Sequence, residues 1–467
     1  MSSDESTVIG IVLLARHGDR LEFYQDPTTY TVTFTEITPL GEQQEWQLGN
    51  YLRSVYLDSS SPSYIQGISP SSSIFNVEQV SIAADDSGID SVIMDSCAAL
   101  VQGLWHPTPL QNITLANGTT ITSPLGGYQY VPITSVLPDL DVSLEGFTDC
   151  ISLQDRTTAF YNSTAFMEKA EEAEPFLSQL GPYVGNRSTS LENMWNIFDY
   201  MNVQSIHNAT YLEELPPTFL AQARDLANWH EYNVFTDPYF SGVGNIAFQT
   251  MIPGILESIE SITNSSDPLK LSYYAINYKP FLSMFNMTGL VSSGSLPAAL
   301  VDYASAAVFE IRQTSPTAEP VIRFQFKNGT NDPELRPYPL VFDGWDGTTG
   351  GDVPVSIFTA ALAPAAVNTT LEWCYECNQD IERGCAVAIA AAQCMNETSS
   401  LVSRDLLSSV GNEQLVTAVG SESLVSSSTA MVSLMFMTSL ILLGAFVMGA
   451  RKWGKKSHTQ IRSDKPY

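Results

Sequence analysis

The stretch that most constrains this chain is Val8 to Arg20, which reads VIGIVLLARHGDR. Val8 to Ala15 is an apolar run of the length and composition of a strand buried on both faces of a parallel sheet. It stops abruptly at Arg16, His17, Gly18, Asp19 and Arg20. In open α/β sheets, ligands sit just beyond the carboxyl ends of the strands. Two arginines flanking a histidine at that place predict an anion pocket with a nucleophile at its centre. Guanidinium forks match phosphate oxygens, and Gly18 lets backbone approach closely. The bland alternative, a histidine merely satisfied at a strand end, is disfavoured by the arginines on both sides.

The next segment extends the pattern. Pro39 suits a first helical turn. Leu48, Tyr51, Leu52, Val55 and Tyr56 then recur at helical spacing, in a stretch that also holds Ile37, Thr38, Gly41, Gln44, Gly49 and Arg53. Arg16-His17-Gly18-x-Arg20 followed by this helix resembles the histidine acid phosphatases, branch two of the histidine phosphatase superfamily. The resemblance runs from about Val8 to Cys385, with Phe309-Glu310 matching a family strand and Trp373-Cys374 the family's C-terminal tail. It implies a divergent, membrane-anchored member of the fungal type. The implied fold is α/β: a phosphoglycerate-mutase-like three-layer α/β/α core with an inserted α-helical cap, plus one C-terminal transmembrane helix. One departure is immediate: the family pattern ends in a proline where this chain has Glu22.

At 467 residues and 44% hydrophobic composition, the chain can bury a sizeable core. Its net charge of −29 is uneven. The tail from Arg451 to Tyr467 carries +5, which leaves −34 on the other 450 residues. That field disfavours nucleic acid and obliges any phosphate pocket to work against its surroundings. The expected partners are a small phosphorylated substrate or anion, and a membrane. No cofactor and no metal is called for.

Ala430 to Ala450 contains no charged residue and is long enough to span a bilayer of about 30 Å as a helix. Arg451, Lys452, Lys455 and Lys456 follow, which puts that end in the cytosol and the large domain outside or in a lumen. A lipid-anchor signal would end in its apolar tail instead. Ten Asn-x-Ser/Thr sequons, at Asn112, Asn117, Asn162, Asn186, Asn208, Asn264, Asn286, Asn328, Asn368 and Asn396, agree with an exported glycoprotein. Met1 to Thr7 has no basic n-region, and Val8 to Ala15 is needed as a strand, so no signal peptide is visible. The favoured reading is an incomplete start, with export through the C-terminal helix as the other route.

Six cysteines suggest disulfides in that compartment. One bridge is expected from Cys97 to Cys150, and two among Cys374, Cys377, Cys385 and Cys394, with the pairing inside that cluster open. A four-thiolate zinc site is the weaker reading, because Cys385 and Cys394 stand too far apart in sequence.

The expected organisation is a phosphatase-like domain over 1–398 with its cap at about 108–235, a Ser-rich stalk over 399–429, the membrane helix over 430–450 and a basic tail over 451–467. Val77 to Ala83 and Lys270 to Ala275 read as strands. Ala304 to Gln313 and Pro320 to Asn328 read as an antiparallel pair joined by a turn at 314–319. Helices are predicted over Ser96 to Leu104, Thr157 to Gln179, Ser190 to Tyr200, Pro217 to Val234, Val243 to Ser261 and Pro280 to Met287, with another beginning at Val353.

The chemistry implied by the resemblance has four parts. A neutral imidazole attacks phosphorus to give a phosphohistidine. Arginines hold the equatorial oxygens. An acid protonates the leaving oxygen, and water then attacks the phosphoenzyme. His17 takes the first role, and Arg16 and Arg20 part of the second. The family's third arginine belongs where this chain has Ala83 or Ala84, followed by Asp85, Asp86 and Asp90. The family's His-Asp proton-donor pair falls on Ile276-Asn277, so Asn277 is a degenerate donor position. Lys279 is the best candidate to restore positive charge. His106, His207 and His230 read as structural.

Losing one preorganised donor costs about 3 kcal/mol, and losing a general acid about 10²- to 10⁴-fold. The chain is therefore expected to be a weak acid phosphatase acting on phosphomonoesters. The rival reading is an inactive pseudophosphatase that binds an anion or partner, and a purely structural cell-surface glycoprotein is the third.

Overall fold

The computed structural model describes residues 6–23, 35–69, 74–85, 91–345 and 351–395. The first compact unit spans Met1–Asn396. The stalk, the 430–450 helix and the basic tail lie outside the described residues. Among the described residues, no helix is long and apolar enough to cross a membrane.

In chain order the elements begin with β1 (Thr7–Arg16), α1 (Pro39–Tyr56), β2 (Val80–Ala84) and α2 (Val92–Leu104). A small hairpin follows, β3 (Asn112–Thr114) and β4 (Thr120–Thr122), then the single turn α3 (Pro124–Gly127). Next comes a helical run: α4 (Ile151–Tyr161), α5 (Thr164–Leu177), α6 (Met194–His207), α7 (Ala209–Glu214), α8 (Phe219–Val234), α9 (Ile246–Gln249) and α10 (Ile252–Thr263). The chain then returns to the sheet with β5 (Leu271–Ile276), α11 (Lys279–Met287), β6 (Ala306–Gln313) and β7 (Val321–Lys327). It finishes with β8 (Arg336–Pro337), β9 (Val353–Pro354), α12 (Val355–Leu362) and α13 (Thr370–Glu376).

The main sheet runs β2-β5-β1-β6-β7-β8, with β9 beside β7. It is mixed rather than all parallel. β2, β5 and β1 are parallel, while β1–β6 and β6–β7 are antiparallel. Val12, Leu14, Ile276 and Phe309 join the core on one face, and Ile11, Leu13, Tyr273 and Val308 the core on the other. This covering on both faces is why β1 reads as a continuous apolar run without alternation.

The register brings three strand ends side by side. Ala15 lies opposite Ala275, and Ala275 opposite Ala84. The residues that leave these strands are His17, Asn277 and Asp85.

Two corrections concern helices. Thr157 to Gln179 is not one helix: the chain breaks at Asn162 and Ser163, and the Ser163 side chain caps α5 by accepting from the Phe166 N–H. Val243 to Ser261 is likewise split, into a 3₁₀ turn, α9 and α10, with Pro253 in the first turn of α10. The β3–β4 hairpin escaped the sequence reading, although Asn117-Gly118 sits at its tip and Gly118 has φ +82°.

The disulfides also differ from expectation. Cys150 pairs with Cys377, and Cys374 with Cys385. Cys97 does not bridge to Cys150, because the two lie in cores on opposite faces of the sheet. Cys97 instead shares a hydrogen bond with Tyr273, and burial pushes its thiol pKa up. Cys377 therefore leaves the C-terminal cluster, which keeps one internal bridge rather than two; Cys394 is exposed.

Candidate active site

The site is built on the turn that follows β1. Thr38 caps helix α1: its hydroxyl accepts from the Gly41 N–H at 3.1 Å and also donates to Asp19. A Cβ on Gly18 would lie 2.5 Å from the Gly41 oxygen, and one on Gly41 2.2 Å from the Asp19 oxygen. Backbone therefore packs on backbone here, and both positions require glycine. The Gly18 N–H donates to Ser96 Oγ on α2, and the Asp19 N–H to Gln44 Oε1 on α1. Two helices thus fix the turn that carries the histidine.

His17 is 5% exposed. Its Nδ1 lies 2.8 Å from the Gly18 carbonyl oxygen. A carbonyl only accepts, so Nδ1 carries the proton and Nε2 keeps its lone pair. Burial, then the charges of Arg16 and Arg20, hold the imidazole well below its ordinary pKa. A neutral, unprotonated Nε2 is the state a nucleophilic histidine needs.

The flanking arginines are engaged differently. Arg16 donates to the Val301 carbonyl, and its guanidinium lies over the rings of Tyr303, at 4.6 Å, and Tyr278, at 5.3 Å. Its Nε is buried with no hydrogen-bond partner among the described residues. Arg20 holds Asp199 of α6 in a bidentate pair, at 2.9 and 3.1 Å, with both side chains under 10% exposed. One of the two expected phosphate ligands thus carries a protein carboxylate.

A pocket beyond the strand ends brings together His17, Arg20, Asn277 and Lys279. Arg16 is not one of its lining residues and meets it through Tyr278, over whose ring its guanidinium lies. Asp85, Glu145, Phe23, Trp195 and Tyr278 complete most of the wall. Asn277 accepts from the Lys279 N–H at 2.9 Å, and its amide nitrogen lies 3.5 Å from Asp85 Oδ2. The Lys279 ammonium sits 4.1 Å from the centre of the Phe147 ring, and burial lowers its pKa against the pull of Glu145, Glu231 and Asp85. Glu145 is tied to Arg383 at 3.1 Å, and burial pushes its carboxyl up.

The other described histidines lie outside this pocket. His106 binds Asn50, His207 binds Asp19 at 2.7 Å, and His230 lies between Tyr161 and Glu231, each at 2.8 Å. Sequence reasoning did not find Glu145, Trp195, Asp199 or Tyr303. These come from loops and helices remote in sequence, with no local motif to mark them. Among the described residues, no group of three His, Cys, Asp or Glu side chains is arranged to hold a metal.

No protein-family model matches the chain. Human prostatic acid phosphatase is 23% identical over 375 residues, which cover 79% of this chain and 87% of that protein. The lysosomal acid phosphatase of Xenopus laevis is 23% identical over 385 residues, covering 79% of this chain and 78% of that protein. The fold is similar to that of apo Hafnia alvei phytase, with a TM-score of 0.56 at 11% identity over 78% of this chain and 98% of that one. The same phytase in complex with myo-inositol hexakis sulphate gives 0.53 at 12% identity, with the same coverage of both chains.

Proposed function

The chain is a relative of the histidine acid phosphatases, and on that premise we propose that it hydrolyses phosphomonoesters through a phosphohistidine at His17. The observation that carries this reading is the buried imidazole whose Nδ1 proton is spent on the Gly18 carbonyl, which leaves the Nε2 lone pair in the field of the Arg16 and Arg20 charges. Arg20 and Lys279, which line the pocket, are the cations for the phosphoryl oxygens, and Arg16 adds its charge from the His17 side. With Asp199 on Arg20 and no arginine at Ala83 or Ala84, the reading keeps the expectation of a slow enzyme.

The low pKa of His17 fixes the sign of the pH dependence. The nucleophile is lost only when it takes up a proton, so activity should persist well below pH 6.5. The test is hydrolysis of an aryl phosphate by the purified chain: His17→Ala should abolish it, and an unchanged rate would end the reading.

The bidentate Asp199 favours a second reading, a pseudophosphatase that binds an anion without turnover. Phosphate or vanadate binding with no product release would select it.

The anchor and compartment belong to the same proposal: a glycosylated lumenal or extracellular domain over 1–398 with its cap at about 108–235, a stalk, a helix over 430–450 and a cytosolic tail. Asn112, Asn117, Asn162, Asn186, Asn208, Asn264 and Asn368 are exposed, as glycan acceptors must be. Enzymatic deglycosylation should shift the chain's mobility, and added protease should remove only the tail from intact vesicles.

A further inference from the structure

We infer that the proton donor of this site has moved one strand sideways, from position 277 to Asp85. The inference rests on the phosphatase reading above. An ester of an ordinary alcohol leaves only if its oxygen receives a proton, and an amide at Asn277 has none of suitable acidity to give. Asp85 stands next to it. The β2–β5 register pairs Ala84 with Ala275, so the first residue beyond β2 emerges beside Ile276 and Asn277. Its N–H donates to the Ala275 carbonyl at 3.0 Å, which fixes the backbone. The residue is 1% exposed and lines the same pocket as His17.

Asn277 then has a definite task. With its oxygen occupied by the Lys279 N–H, its amide is turned to Asp85 Oδ2. That contact positions the carboxyl and leaves the chemistry to it. Lys279 on α11, Arg20 after β1 and Glu145 before α4 also face this pocket.

The proton count closes over a cycle. His17 Nε2 forms a bond to phosphorus while the ester P–O bond breaks, and the Asp85 proton goes to the leaving oxygen as alcohol. Asp85, now a carboxylate, takes a proton from the water whose oxygen attacks phosphorus. The P–N bond breaks, releasing phosphate and restoring the neutral imidazole.

The test compares two esters on the purified full chain. p-Nitrophenyl phosphate has a leaving group that departs without a proton, and β-glycerophosphate one that does not. Asp85→Asn is expected to lower kcat on β-glycerophosphate by 10²- to 10⁴-fold and on p-nitrophenyl phosphate by less than about tenfold. The swap Asp85→Asn with Asn277→Asp is expected to recover at least about tenfold of the glycerophosphate rate. Asn277→Asp alone crowds two carboxyls and is expected to lower that rate. Equal losses on both esters, no loss on either, or a tenfold gain from Asn277→Asp alone would overturn the assignment. His17→Ala is the separate control: if it leaves both rates unchanged, the phosphatase reading itself fails, whatever Asp85 does.

Discussion

The electrostatics of single residues decide how this pocket can work. Asp199 compensates Arg20 inside the protein, and a bound phosphate must share that guanidinium with it. Asp199→Asn should therefore tighten inhibition by inorganic phosphate several-fold. It should also cost up to about 3–5 kcal/mol in stability, because a buried charge loses its partner; a phosphate inhibition constant measured beside a thermal melt checks both. Glu45 on α1 is a second case. It is fully buried, neither carboxylate oxygen has a partner among the described residues, and burial holds its pKa well above the ordinary value despite Lys327. A carboxyl raised on folding lends stability below its unfolded pKa, and that contribution is lost as pH rises through the raised value. Glu45→Gln should leave stability at pH 4 nearly unchanged and raise it at pH 7, by about 1.4 kcal/mol for each pH unit, up to pH 7, over which the unfolded carboxyl is ionised while the buried one keeps its proton. Denaturant midpoints at the two pH values measure this.

At the scale of elements, close backbone contact holds the site in place. Helices α1 and α2 meet at Gly49 and Gly103, where added Cβ atoms would lie 2.1 Å from the Leu100 oxygen and 2.3 Å from the Trp46 oxygen. Gly49→Ala should force the helices apart and cost about 1–3 kcal/mol, read as a lower denaturant midpoint. Because α1 and α2 also grip the His17 turn, it should lower kcat as well. Much of this was legible. The strand before Arg16, Pro39 in the first turn of α1, Gly18 and a strand over Lys270 to Ala275, one residue short of where β5 ends, follow from local pattern, and Thr38 and Gly49 from the family likeness. The Asp85–Asn277 contact was not legible, since β2 and β5 are joined through α2 and the whole helical run. In sequence Asp85 only follows the position of the missing arginine; the register shows which residue it stands beside.

Across the whole first unit, the disulfides connect distant parts of the chain. Cys150–Cys377 spans 227 residues and anchors α13 to the start of α4. Cys374–Cys385 closes the loop from which Arg383 reaches Glu145 in the pocket wall. The even cysteine count and the C-terminal cluster pointed to disulfides, but pairing depends on which face of the sheet each thiol occupies, and sequence spacing does not carry that. Replacing Cys150 and Cys377 by serine should cost about 5.4 kcal/mol on the chain-entropy estimate for a loop of that length. It should also slow turnover through loss of the Arg383–Glu145 contact, so a melt and a rate at one temperature both report on it.

The central claim, that His17 carries the phosphoryl group, is tested most directly by trapping. The purified chain is mixed with ³²P-labelled p-nitrophenyl phosphate, quenched in alkali during turnover, and digested to find the label. The expected result is an alkali-stable, acid-labile phosphohistidine on the peptide containing His17, absent from His17→Ala. Turnover with no labelled histidine, or label that survives His17→Ala, would contradict it.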